Sequence, residues 1–272
     1  MMDFLARSGW GAASVTPLPS DASTRRYARL SMGEQKAMLM DQPQGTESAT
    51  APPGASEEAR RALGYNAMAR LAGADCARFV AAAAWLRGRG LAAPDIYAAD
   101  HANGFVILED LGDALFAEVL ADGGSEKQLY EAAVEVLAKI HANDAPAALS
   151  SDKPLFDYDQ TALVAETDLL PEWFLPLALG RKATGEEMTE HRTLWRTALA
   201  GIEKGRRVFV HRDYHAQNLL WLPERDGKAR YLAFLPRVWT YLERDLTHPA
   251  LADLRAWYDR VIPKHQRAVE IV

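Results

Sequence analysis

The chain has 272 residues, enough to bury a large core as one two-lobed domain or two small ones. Charged residues make up 25% and hydrophobic ones 49%, an ordinary globular composition, and a net charge of -6 argues against non-specific nucleic-acid binding, which needs a basic face. The single cysteine, Cys76, excludes an intramolecular disulfide and a cysteine-rich metal site. The longest apolar run, Phe79 to Leu86, falls far short of the ~20 residues needed to cross a bilayer. The start, Met1 to Arg7, lacks a basic stretch followed by an apolar core, so a cytoplasmic protein with no membrane partner is expected.

Near the N-terminus, 26–30 and 36–41 flank Met32-Gly33-Glu34 and predict a β-hairpin. Residues 42–56 hold three prolines, two glycines and several Ser and Thr, as an exposed loop does. Ser56 with Glu57 and Glu58 supplies a capping hydroxyl and early acids for a helix running to about Leu71. A second helix is predicted over 75–88, closed by the Gly88-Arg89-Gly90 breaker. Pro94 introduces 95–99, and 104–108 is a buried-strand candidate.

After Leu111-Gly112-Asp113 the pattern turns helical. Leu129, Ala133, Val136, Leu137 and Ile140 recur on one helix face, and further helices are predicted over 158–170 and 186–201. The expected architecture is α+β: a β-rich N-lobe over 1–108, a connector at 109–113, and a helical C-lobe over 114–272, with a cleft between the lobes.

The chemistry concentrates in Val208-Phe209-Val210-His211-Arg212-Asp213-Tyr214-His215-Ala216-Gln217-Asn218-Leu219-Leu220-Trp221-Leu222. Apolar runs expected as strands bracket a His-Arg-Asp with an Asn five residues after the Asp. In phosphoryl transfer the protein mainly positions groups and neutralises charge. An Asp orients the attacking hydroxyl and takes its proton, while an Asn oxygen suits Mg²⁺, a hard cation. The spacing thus assigns Asp213 as base, Asn218 as metal ligand and His211 as a brace for the loop backbone. His215, two residues past the Asp, faces either the acceptor or solvent.

This loop resembles that of the aminoglycoside phosphotransferase and choline kinase superfamily, which has a protein-kinase-like fold. The absence of G-x-G-x-x-G, D-F-G and A-P-E motifs sets protein kinases aside. Asp21-Ala22-Ser23-Thr24-Arg25-Arg26-Tyr27, Ala37-Met38-Leu39-Met40-Asp41 and Leu108-Glu109-Asp110-Leu111-Gly112-Asp113 resemble the bacterial N-acetylmuramate/N-acetylglucosamine 1-kinases more specifically. The resemblance implies ATP and Mg²⁺ as cofactors and an amino sugar as acceptor in cell-wall recycling. It further implies Ser23, Thr24 and Arg25 over the phosphates and Glu109, Asp110 and Leu111 as the adenine hinge. His141 matches a helix-terminal histidine that packs behind the catalytic loop. Trp173, Trp195, Trp239 and Trp257 are expected to pack cores or lobes, with Trp173 also open to an acceptor role.

Two departures from that family pattern stand out. The strand lysine that pairs with phosphates is missing from 37–40, leaving Lys36, Arg25 or Arg26 as substitutes. No acidic residue lies between Asp226 and Glu243, where a second metal-binding Asp is expected. Residues 237–258 resemble the segment that closes the family's proteins, which implies an internal deletion of roughly 80 to 90 residues near 226–230, an incomplete C-lobe and impaired turnover. Two alternatives stay open: a catalytically silent nucleotide- or sugar-binding remnant, and a kinase for choline, homoserine or an aminoglycoside.

Overall fold

The computed structural model describes residues 1–19, 24–43, 45, 47–201, 205–222 and 249–261. In chain order, α1 (Met2–Arg7) and β1 (Ser14–Pro17) precede β2 (Arg26–Met32) and β3 (Gln35–Asp41). Next come α2 (Glu57–Leu63), α3 (Tyr65–Met68), α4 (Cys76–Arg87), β4 (Ile96–Asp100) and β5 (Phe105–Leu108). They are followed by α5 (Phe116–Ala121), α6 (Glu126–His141), β6 (Ala148–Ser150) and β7 (Lys153–Pro154). The rest is helical: α7 (Gln160–Thr167), a π turn (Leu170–Phe174), α8 (Leu175–Leu179), α9 (Gly185–Ala198) and α10 (Pro249–Val261). The chain divides into two compact units, one formed from 1–49, 72–155 and the segment starting at Arg207, the other from 50–71, 156–206 and α10.

The first unit contains an antiparallel sheet in the order β1-β2-β3-β5-β4. Met32 stands opposite Gln35, so Gly33-Glu34 is a two-residue turn, and Gly33 takes the positive φ of 62° that such turns demand. Strand β1, which the sequence pattern does not reveal, is an exposed edge strand of four residues ending in Pro17, a position where a missing N–H costs no ladder bond. Both faces of β3 are covered. Ala37 and Leu39 pack with Leu30, Ile107, Phe4 and Leu5, and Met40 packs with Val106, Leu108, Cys76 and Phe79. That two-sided burial explains why 37–40 reads as a continuous apolar run.

A third cluster lies under the His211 loop. Leu129, Ala133, Val136 and Ile140, one face of α6, pack with Trp85, Phe116, Phe209 and Leu219. Phe209 stacks on Trp85 at 4.7 Å between ring centroids. Ser125 caps α6 through the Gln128 N–H, and Asp75 caps α4 through the Ala77 N–H.

In the second unit, the helix expected over 56–71 is two helices. Ser56 caps the first as predicted, but Gly64 adopts φ 100°, ψ -169°, a conformation open essentially to glycine alone, and breaks the axis. The break lets Arg60 bury its guanidinium, which donates to the Ala67 and Met68 carbonyls and, at 2.6 and 3.1 Å, to Asp159. Helix α9 begins in a capping box of Thr184 and Glu187. Leu163, Val164, Trp195, Leu199 and Leu254 form one core of this unit, and Leu175, Trp257 and Val261 another. Trp195 and Trp257 are therefore packing residues. Trp173 is 74% exposed, and Trp239 lies outside the described residues.

Among the described residues, no helix is long and apolar enough to cross a membrane.

Candidate active site

The run 208–222 sits within the first unit, and its apolar flanks depart from expectation. They are not a strand pair. A single antiparallel bridge joins Leu220 to Leu115, with the Trp221 N–H donating to the Ala114 carbonyl at 2.7 Å and the Phe116 N–H to the Leu219 carbonyl at 2.8 Å. A strand needs a partner along its length. Among the described residues 208–210 have no ladder partner, and Phe209 serves the α6 core instead.

The loop is held from several directions. Tyr214 donates its hydroxyl proton to the Ala133 carbonyl at 2.7 Å, tying the loop to α6. His141, at the end of that helix, hydrogen-bonds the main chain of Phe209, while burial lowers its pKa and favours the neutral ring. That neighbourhood matches a packing role behind the loop. Arg212 sits at φ 74°, the left-handed region, where a bulky side chain costs on the order of 1–2 kcal/mol. Strain of this kind persists only where neighbours over-determine the backbone, and here they do. His211 Nδ1 accepts the Asp213 N–H at 3.3 Å, and the His215 N–H donates to the Asp213 carbonyl at 3.2 Å.

The reactive side chains form one cluster. His215 Nδ1 accepts the Gln217 N–H at 3.3 Å, so the neutral ring carries its proton on Nε2. That Nε2 lies 2.9 Å from Asp213 Oδ1 and donates to it. Asn218 Nδ2 donates to the Asp213 carbonyl at 3.1 Å and lies 3.1 Å from His215 Nε2. Among the described residues this leaves Asp213 Oδ2 and Asn218 Oδ1 without a hydrogen bond. The first is a carboxylate oxygen able to receive an acceptor hydroxyl; the second is a hard oxygen able to meet a cation. Sequence spacing already brings these residues into one loop; the structure adds that His215 turns onto Asp213.

The 109–113 segment lies in the same unit. The Glu109 N–H donates to the Asp95 carbonyl at 2.8 Å, and Glu109 Oε2 accepts the Asp95 N–H at 3.2 Å. Asp110 accepts from the Gly112 N–H at 3.0 Å. The main-chain N–H and carbonyl of Leu111 make no hydrogen bond among the described residues. A residue absent from the sequence reading stands here: Arg29 on β2 donates to Asp110 at 2.6 and 3.3 Å and to Asp113 at 2.8 Å. No local pattern reveals it, because its partners are far away along the chain.

At the expected phosphate loop, Ser23 lies outside the described residues. Thr24 gives its hydroxyl proton to Glu47, an arrangement that puts a carboxylate beside that loop. Arg25 is half-buried, and its charge is felt at the Cys76 thiol. Of the other candidate cations, Arg26 pairs with Asp41 at 2.8 Å and Lys36 is exposed opposite Ser31. The 227–242 stretch, with Glu243 and Asp245 after it, falls outside the described residues. Among those that are described, no three His, Cys, Asp or Glu side chains gather as a metal site.

A family model described as "Phosphotransferase enzyme family" matches residues 14–232. The N-acetylmuramate/N-acetylglucosamine kinase of Caulobacter vibrioides is 35% identical, over 97% of this chain and 96% of that protein. Its alignment is 353 positions long and takes in 97% of a chain of 272 residues, so roughly ninety positions have no counterpart here. Proteins of the same name from Pseudomonas aeruginosa and Pseudomonas putida are 31% and 28% identical. The chain matches 55% of the length of each of these two, while they cover 80% of it.

Proposed function

Because this chain belongs to the phosphotransferase enzyme family, a family that uses ATP and a divalent metal, we propose that it is a small-molecule kinase acting on the anomeric hydroxyl of N-acetylmuramate or N-acetylglucosamine. The observation that carries the reading is the cluster of Asp213, His215 and Asn218, with one oxygen of Asp213 and one of Asn218 left for ligands. Asp213 Oδ2 receives the acceptor hydroxyl and its proton. His215 holds Oδ1, so the carboxylate cannot rotate away, and His211 and Tyr214 hold the loop. The substrate class rests on the relatives' names and on the resemblance of 21–27 and 108–113.

The residues fit Mg²⁺ in part. Asn218 offers one neutral oxygen of the right hardness, and phosphates and water complete most Mg²⁺ shells. The cation, when bound, neutralises charge on the transferred group. The anionic ligand expected opposite Asn218 has no candidate between Asp226 and Glu243. In this reading the gap of roughly ninety positions falls after the catalytic loop and leaves the C-lobe incomplete. A loop retained beside a metal site half lost is the mark of slow turnover.

That same loss favours a second reading, a chain that binds nucleotide or sugar without transferring phosphate. Thermal shift with ATP, Mg²⁺ and a panel of amino sugars, choline, homoserine and aminoglycosides, read beside label transfer from ATP, separates the two. Amino-sugar-selective transfer supports the kinase; stabilisation without transfer supports the binding remnant. Transfer to another acceptor class overturns the substrate assignment.

A further inference from the structure

We propose that Arg29 positions the adenine-facing main chain of 109–113, acting through Asp110 and Asp113 and not by touching the nucleotide. This rests on the nucleotide-binding reading above. The 109–113 segment carries three acids in five residues, Glu109, Asp110 and Asp113, which repel one another unless a cation sits among them. Arg29 is that cation. Its Nε and Nη2 donate to both oxygens of Asp110, at 2.6 and 3.3 Å, and Nη2 also reaches Asp113 at 2.8 Å. Forked pairing of this kind fixes orientation as well as distance.

Asp110 is 7% exposed at its side chain, so Arg29 takes the place of water around it, whereas Asp113 is 75% exposed. Asp110 Oδ1 passes the constraint to the main chain by accepting the Gly112 N–H, and Gly112 takes φ 79° to allow the turn. Leu111 is thus bracketed between two residues that Arg29 holds, with its own N–H and carbonyl unspent among the described residues. Hydrogen bonds to the Asp113 and Asp110 carboxylates raise the pKa of Arg29, so it keeps its charge at any working pH. With its guanidinium engaged by two acids, it is poorly placed to serve as the missing phosphate cation.

The test is calorimetric binding of ADP and, separately, of inorganic tripolyphosphate, to wild type, Arg29→Met, Asp113→Asn and the double variant, each checked for wild-type circular dichroism. ADP affinity is expected to fall about tenfold in Arg29→Met, with tripolyphosphate affinity unchanged, because only the adenine contact is misplaced. Asp113→Asn, on the exposed partner, keeps the fold and is expected to weaken ADP by about threefold, an effect that vanishes in the Arg29→Met background. Unchanged ADP affinity in a folded Arg29→Met overturns the proposal, as do strictly additive effects in the double variant. Equal loss of tripolyphosphate overturns it by making Arg29 a phosphate ligand. Should wild type bind tripolyphosphate but no adenine nucleotide, the nucleotide reading itself falls and this role with it.

Discussion

His191 in the second unit provides a quantitative test of how the core is built. Its ring is fully buried on α9, 5.0 Å from the ring of Trp257 and 6.4 Å from those of Trp195 and Tyr258. Nε2 donates to the Thr167 carbonyl at 3.2 Å, which suits the neutral ring. Burial drives the pKa down to about 4, outweighing that bond, with the Arg192 charge adding to the depression. The unfolded chain takes up the proton near 6.5 while the folded one does not. The contribution of His191 is therefore complete above pH 6.5 and lost as pH falls toward 4. Between pH 7.5 and 5.5 the loss is about 1.3 kcal/mol, and it approaches ~3 kcal/mol if followed to pH 4.

Asp168, which lies 4.0 Å from His191 and is paired with Arg192, has its pKa raised by burial. It works with the opposite sign at the acidic end, so pH 5.5 is the sensible lower limit. Urea unfolding at half-unit pH steps, on wild type and His191→Phe, isolates the residue, because the lowered pKa of His141 contributes equally to both. The variant should lose about 1.3 kcal/mol less than wild type across that window. Parallel stability curves would refute the claim that a neutral imidazole is locked in this core.

Three further outcomes follow from named contacts. Arg60→Met strands Asp159, which is 29% exposed and also caps α7, and should cost about 3 kcal/mol in urea unfolding; a change under about 0.5 kcal/mol would mean the pair carries no stability. Gly64→Ala places a Cβ at φ 100° and should cost about 1–3 kcal/mol, whereas unaltered stability would show that the α2–α3 break does not need glycine. His215→Ala frees Asp213 Oδ1 and should lower kcat by up to about a hundredfold with ADP affinity unchanged, and His215→Gln, which keeps a donor, should recover part of it. If KM for the acceptor moves and kcat does not, His215 contacts substrate instead.

Much of the first unit was legible because its signals are local. The β2–β3 hairpin shows in a Gly-containing turn between apolar runs, α4 in the Gly88-Arg89-Gly90 breaker that closes it, and α6 in its periodic face. Helix α1 and strand β1 escaped detection because six and four residues are too few to set a period. Gly64 is a single breaker inside an otherwise helical composition, and its effect depends on the φ it adopts. The flanks of the catalytic loop misled because apolar content marks burial, not ladder formation, and Phe209 and Leu219 are buried against α6. At the site, the His-Arg-Asp and the later Asn between apolar runs single out Asp213 and Asn218 as candidates. The turn of His215 onto Asp213, and the grip of Arg29 on 109–113, depend on side-chain geometry that no spacing encodes.

The central claim is that Asp213 lies at the heart of a phosphoryl-transfer site that has kept its loop and lost part of its metal binding. It is tested most directly by label transfer from ATP to N-acetylglucosamine and N-acetylmuramate at saturating Mg²⁺, comparing wild type, Asp213→Asn and the Caulobacter vibrioides relative. Wild type is expected to transfer at least about a hundredfold more slowly than that relative, with Asp213→Asn at background. Equal transfer by wild type and Asp213→Asn would contradict the assignment of the base, and wild-type transfer matching the relative would contradict the impaired metal site.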